Sequence, residues 1–228
     1  RLIGDDQQLA AIGAGGVLRD LQATHGALHL TELVRFTDPA EGSASLALRE
    51  GRPEALGFYL DHDRIHIGST DTMLDQLFQA WAADRANRRD SVMLAPTRDL
   101  VAALNQRART HRLGGTTPTA EVELADANLA SPGDVIITRR NDRRLRLNAT
   151  DWVKNGDRWT ITTITTDGVQ VRHTQTGRHI TLPHDYVSQW AELGYATTTH
   201  SAQGVTADTC HGLLTGDETR QQAYTMLT

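Results

Sequence analysis

Apolar and polar positions change rhythm along the chain, and each rhythm predicts a different kind of element. The opening RLIG reads as the end of a buried strand running into a turn, followed by an amphipathic stretch from about Gly16 to Gln22. Leu28 to Val34 (LHLTELV) is a second strand candidate, and PAEGSASLALREG and PEALGFYL after it carry helical spacing. Arg64 to Ile67 reads as a short strand. Ser69 is placed to cap a long helix whose Met73, Leu74, Leu77, Phe78 and Trp81 recur on one face, which predicts that they are core. SVMLAP is a continuous apolar strand, and TRDLVAALNQRARTH is again a helix. Strands alternating with helices predict an α/β fold with parallel strands.

The rhythm shortens near Pro132. From Gly133 to about Pro183 it alternates in DVIITRR, DRWTITTITT, VQVRHTQ and RHITLP, with turns at Asp167-Gly168 and Thr176-Gly177. Short strands joined by tight turns predict a small barrel inserted in the α/β domain. The α/β texture then resumes with GYATTTH, a helix start at Ser201 and the strand-like CHGLLT.

Composition sets limits on function. A 228-residue chain with 39% hydrophobic residues can bury a real core. No stretch approaches the roughly 18 apolar residues of a membrane span, and the start lacks signal-peptide layout, so a cytoplasmic protein is expected. Cys210 is the single cysteine, which excludes an internal disulfide and reads as a small buried hydrophobe. His173, His179 and His184 lack metal-ligand spacing, so no zinc site is expected.

A net charge of -5 argues against general polyanion binding, yet Arg139, Arg140, Arg143, Arg144 and Arg146 form a local basic cluster. Lys154 is the only lysine, and no G-x-x-x-x-G-K-[ST] phosphate loop is present. Nothing precedes the opening strand to pair with it, which predicts a piece of a longer protein.

Four segments carry candidate chemistry. Gly4-Asp5-Asp6-Gln7-Gln8-Leu9 offers a loop whose Gln8 amide is both donor and acceptor; its plain alternative is a surface turn. Leu33-Val34-Arg35 ends a strand candidate in a guanidinium, suited to phosphate oxygens or simply solvated. Val92 to Thr97, with Leu104-Asn105 further on, leads from strand to helix, where Thr97 is an N-cap, a phosphate contact or both. Tyr195-Ala196-Thr197-Thr198-Thr199-His200-Ser201-Ala202-Gln203-Gly204-Val205-Thr206 is the most specific string.

In this order the segments resemble the superfamily-one helicases, most closely the RecD-like and conjugative-relaxase (MobF-type) motors. They match G-D-x-x-Q-L and Y-A-x-T-x-H-x-x-Q-G, and Gly133-Asp134 through Asn141-Asp142 and Asn155-Gly156-Asp157 follow the G-D-x-V-x-x-x-x-N-D…N-G-D pattern of an inserted barrel, with Ile136 at the valine position. The resemblance implies that Gln8 senses the terminal phosphate, that Arg35 reaches the γ-phosphate, and that Gly4, Asp5, Gln203 and Gly204 face nucleotide. It implies that Thr97, Thr199 and His200 contact single-stranded DNA, with Arg139, Arg140 and Asn141 of the barrel guiding it. Trp152 and Trp159 are stacking faces or, preferably, core.

The implied architecture is a RecA-like parallel sheet with an inserted SH3-like barrel. Residues 1–27 would be the tail of a first RecA-like domain, 28–131 and 185–228 the second, and 132–184 the barrel. Partners would be single-stranded DNA and the remainder of the first RecA-like domain. ATP and Mg would be used by the parent protein and not by this chain, which lacks the phosphate loop, the magnesium-binding acidic pair and a final arginine and is expected to be inactive in isolation. Two alternatives to a conjugative relaxase stay open: the alpha subunit of a RecD-like exonuclease V, and a non-catalytic DNA-binding or docking module.

Overall fold

The computed structural model describes residues 17–28, 36, 38–202 and 205–227. The chain divides into two compact units, residues 1–73 with 214–228, and residues 74–213.

The described part of the first unit is helical. It holds α1 (Val17–His25), α2 (Pro39–Arg49), α3 (Ala55–Asp61), the first turn of α4 (Thr70–Ala86) and α7 (Arg220–Leu227). Helix α2 starts where Asp38 accepts the Ala40 N–H at 2.8 Å and Pro39 fills the first turn. It packs on α3 and α7, burying Ala44, Ala47, Ala55, Tyr59, Tyr224 and Met226. Arg64 to Ile67 is not a strand. The Arg64 N–H closes the end of α3 on the Tyr59 carbonyl at 2.8 Å, and the segment after it has no strand to pair with among the described residues.

In the second unit, β1 (Ser91–Ala95) leads into α5 (Arg98–Leu113), and later come β11 (Ala196–Thr198) and β12 (Thr209–Gly212). These strands form a parallel sheet in the order β11-β1-β12, as the strand-helix alternation predicts. Strand β1 is buried throughout its length, which explains its unbroken apolar run. Leu77, Phe78 and Trp81 of α4 are core, and the Trp81 indole donates to the Ser91 carbonyl at 3.2 Å. Met73 and Leu74 are half-buried.

Between α5 and β11 the chain builds a mostly antiparallel segment: β2 (Val122–Glu123), β3 (Leu129–Ala130), β4 (Val135–Thr138), β5 (Asp142–Arg146), β6 (Trp152–Val153), β7 (Arg158–Thr165), β8 (Gly168–His173), β9 (His179–Leu182), α6 (His184–Trp190) and β10 (Ala191–Leu193). Five strands form one antiparallel sheet in the order β10-β4-β7-β8-β9, while β2-β3 and β5-β6 pair separately. The β7-β8 turn needs its glycine: Gly168 has φ +149°, and a Cβ there would lie 2.5 Å from the Leu182 carbonyl oxygen.

Three further expectations are corrected. Ser201 does not start a helix among the described residues; Thr198 Oγ1 accepts the Ser201 N–H at 3.3 Å and the Thr198 carbonyl accepts the Ala202 N–H at 2.9 Å, so Thr198 caps a single turn. Cys210 is exposed, because alternation along β12 turns Thr209 and His211 inward instead. Trp159 is buried core, but Trp152 is half-buried, with Arg143 and Lys154 lying 5.1 and 5.8 Å from its ring centre. The strand candidates at the start and at 29–34 lie outside the described residues, while Leu28 is exposed.

Candidate nucleic-acid interface

Parallel pairing sets Ala95 opposite Thr198, so β1 and β11 end side by side. Two residues beyond each pairing partner stand Thr97, at the head of α5, and His200, in the turn after β11. Both are exposed, whereas Thr199, expected to contact DNA with them, is buried. Carboxyl ends of parallel strands are where open α/β sheets place ligands, and the first amides of a helix favour anions there. Thr97 Oγ1 accepts the Leu100 N–H at 3.3 Å, which makes it an N-cap and leaves its hydroxyl proton to donate outward.

The approach to this edge is held by buried polar groups. On α5, the Asn105 side-chain oxygen accepts the N–H groups of Tyr195 and Ala196 at 3.1 and 2.8 Å, and its NH₂ donates to the Ala196 carbonyl at 3.2 Å. The Tyr195 hydroxyl donates to Asp134 at 2.6 Å. Asp134, fully buried, also accepts from Ser131 N–H at 2.7 Å and from Arg112 at 2.7 Å and Arg109 at 3.3 Å. Burial first, and Asp134 second, push the Tyr195 phenol well above its ordinary range. Burial pulls the Arg112 guanidinium down, but its bond and charge pairing with Asp134 outweigh that and leave it raised. Sequence reasoning noted Asp134 and Asn105 only as parts of motifs. The available signal was Arg109 and Arg112 three apart on one helix face, a pair suited to a buried carboxylate.

A second buried ion pair lies at the other end of β1. Arg158, 3% exposed, sits 3.0 Å from Asp90 and donates to the carbonyls of Gly194 and Ser91 at 3.2 and 3.1 Å. Burial lowers its basicity despite Asp90, yet a guanidinium at this site stays charged. On α4, burial alone would raise Asp84; neighbouring Thr209 and His211, the latter hydrogen-bonded to it at 2.9 Å, reverse this and lower it.

The basic cluster is dispersed in function. Arg139 donates to Glu192 at 2.7 Å and to Thr197 at 3.2 Å. Arg140 lies over Trp190 at 4.8 Å, and Arg144 holds Asp142 through bonds of 3.2 and 2.9 Å. The Arg144 side chain and then its N–H bring the Asp142 carboxyl down to about 2. Exposed Asn141 accepts the Asn155 N–H at 3.0 Å and so braces a turn. Arg143 and Arg146 are exposed on β5.

Gly4, Asp5, Gln8, Arg35, Gln203 and Gly204, expected to face nucleotide, lie outside the described residues. The described residues contain no group of three or more His, Cys, Asp or Glu side chains able to hold a metal ion. No described helix is long and apolar enough to cross a membrane.

A family model described as an AAA domain matches residues 1–70. An uncharacterized protein of Mycobacterium tuberculosis is 32% identical over 87 residues, 37% of this chain and 50% of that protein. The conjugal transfer protein TraA of Agrobacterium fabrum is 27% identical over 241 aligned positions, covering 100% of this chain and 21% of its own length. The matches thus span half of the first relative and about a fifth of the second. Among solved structures, a Bacteroides Pif1 helicase in complex with ADP-AlF3 and ssDNA superposes with TM-score 0.61 at 16% identity, over 98% of this chain and 58% of that one. A Bacteroides Pif1 bound to ssDNA gives 0.57 at 16% identity over 88% and 48%. At this identity the likeness is one of fold: a RecA-like parallel sheet with helices.

Proposed function

We propose that this chain, which stands in a superfamily-one helicase and relaxase-family relationship to the proteins just compared, grips single-stranded DNA for an ATP-driven motor acting in conjugative transfer. The observation that carries this reading is the pairing of Ala95 with Thr198, which ends β1 and β11 together at the carboxyl edge of a parallel sheet with Thr97 and His200 each two residues further on. Thr97, with its outward hydroxyl proton, and exposed His200 contact the backbone, and buried Thr199 supports the turn after β11. The segment 132–184, read as an SH3-like barrel inserted in a second RecA-like domain of residues 28–131 and 185–228, guides the strand with Arg140 and Asn141. Residues 1–27 belong to the first RecA-like domain.

Nucleotide in this reading is met by Gly4, Asp5, Gln8, Arg35, Gln203 and Gly204. ATP and Mg supply the energy of translocation in the complete motor, in the cytoplasm. The 228 residues hold no phosphate-loop lysine, so the chain alone is expected to turn over no ATP. The TraA relative favours a conjugative relaxase over an exonuclease subunit.

Fluorescence anisotropy with labelled oligothymidylate tests the grip. Salt-dependent binding that Thr97→Ala and His200→Ala each weaken is the expected result, and unchanged affinity in both variants overturns the assignment. Phosphate release from ATP that requires DNA and disappears in Gln203→Ala would refute the expected inactivity.

A further inference from the structure

The two residues flanking β4 both hold the strand that leads to the proposed grip. Asp134 precedes Val135 and accepts the Tyr195 hydroxyl at 2.6 Å; Arg139 follows Thr138 and donates from Nη2 to Thr197 Oγ1 at 3.2 Å. Tyr195 stands in the bend just before β11 and Thr197 within the strand, so the two attachments bracket Ala196. The strands approach closely here, since a Cβ on Gly194 would lie 2.8 Å from the Ile136 carbonyl carbon. Asn105 fixes Ala196 from α5, so three consecutive residues are held before the turn begins.

Arg139 is therefore engaged within the unit. Its Nε is bound to Glu192 at 2.7 Å, its side chain is 20% exposed, and Thr197 is 1% exposed. We infer that Arg139 is a positioning residue: through Thr197 it fixes the end of β11, and with it the turn Thr198 to Ala202 that presents His200. This rests on the reading of that turn as a DNA grip. A strand lying against the antiparallel sheet then bears on the grip through β4, because the same strand carries both attachments to β11.

The test uses Arg139→Gln, Arg139→Lys and Thr197→Val, with the Gln and Val changes also combined. Hydrogen exchange is read in the free chain at the Ser201 and Ala202 amides, which bond to Thr198, and oligothymidylate affinity is read over a salt series. Each single change is expected to speed exchange at those amides about five-fold, the size of one ordinary hydrogen bond, leaving Val171 in the antiparallel sheet unchanged. The double variant should be no faster than either single. Binding should weaken about five-fold with an unaltered salt slope, and lysine, whose single nitrogen lacks the fork that reaches Glu192 and Thr197 separately, should not restore it.

A direct phosphate contact gives the opposite pattern and overturns the inference. Arg139→Gln then flattens the slope by about 0.7, lysine restores it, and both Thr197→Val and exchange are silent. If the unaltered chain fails to bind oligothymidylate, the grip reading fails, and exchange alone decides whether Arg139 positions the turn.

Discussion

The two sheets of the larger unit are held by different means. In the antiparallel sheet, neighbouring strands are also neighbours in sequence for β7, β8 and β9, and backbone ladders with tight turns account for most of the joining. In the parallel sheet, β1 pairs with strands about a hundred residues further along the chain, and the joining depends on buried side chains: Asn105 on β11, Trp81 on β1 and Asp134 under Tyr195. Local turns make one sheet tolerant of surface change. Long-range polar contacts make the other sensitive to single atoms, because removing one partner strands the rest without water.

The largest expected effect comes from breaking the most connected of those contacts. Asp134→Ala leaves two guanidinium groups and the Tyr195 hydroxyl without their shared acceptor and should destabilise the unit by roughly 3–5 kcal/mol in urea titration. A loss below about 1 kcal/mol would show that water replaces the carboxylate and that the contrast between the sheets is overstated. Gly168→Ala attacks the antiparallel sheet at its tightest turn, where added bulk meets the Leu182 carbonyl; about 3 kcal/mol is expected from strain and crowding. Its exchange signature should stay within β7, β8 and β9, and spread to β11 would contradict the separation.

Asn105→Ala comes next, at about 2 kcal/mol, since the freed backbone groups of Tyr195 and Ala196 can recover part of their bonding by local relaxation. Proton exchange at those two amides should rise more than anywhere in β8. The smallest effect is that of pH on the β5 pair. Asp142 is depressed in the folded chain, so its contribution is fully present above the unfolded carboxylate value near 4 and is lost as pH falls toward about 2. Arg144 is exposed and salt screens the pair, so Asp142→Asn should remove only a slight acid-side slope in thermal melts.

This difference also explains which features were legible in the sequence. The β7-β8 and β8-β9 turns, the buried face of α4 and the apolar run of β1 each follow from neighbours within a few residues. The strand assignment at Arg64 to Ile67 failed because strand-like composition has no force without a pairing partner, and none stands among the described residues; Ile67 stays 89% exposed. Ser201 was expected as a cap because a hydroxyl follows the strand there; Thr198, three residues earlier, supplies the oxygen instead. For the interface, Thr97 and His200 were readable from motifs and Asn105 was noted, but the engagement of Arg139 by Glu192 and Thr197 was not. That bond joins positions 58 residues apart, and a run of arginines looks the same whether solvated or committed.

The outward orientation of Cys210 has a practical consequence. As the chain's one thiol, on the strand beside β1, it offers maleimide dyes a single attachment point without any engineered cysteine. Emission from a label there would follow strand capture in real time, reported from the parallel sheet itself.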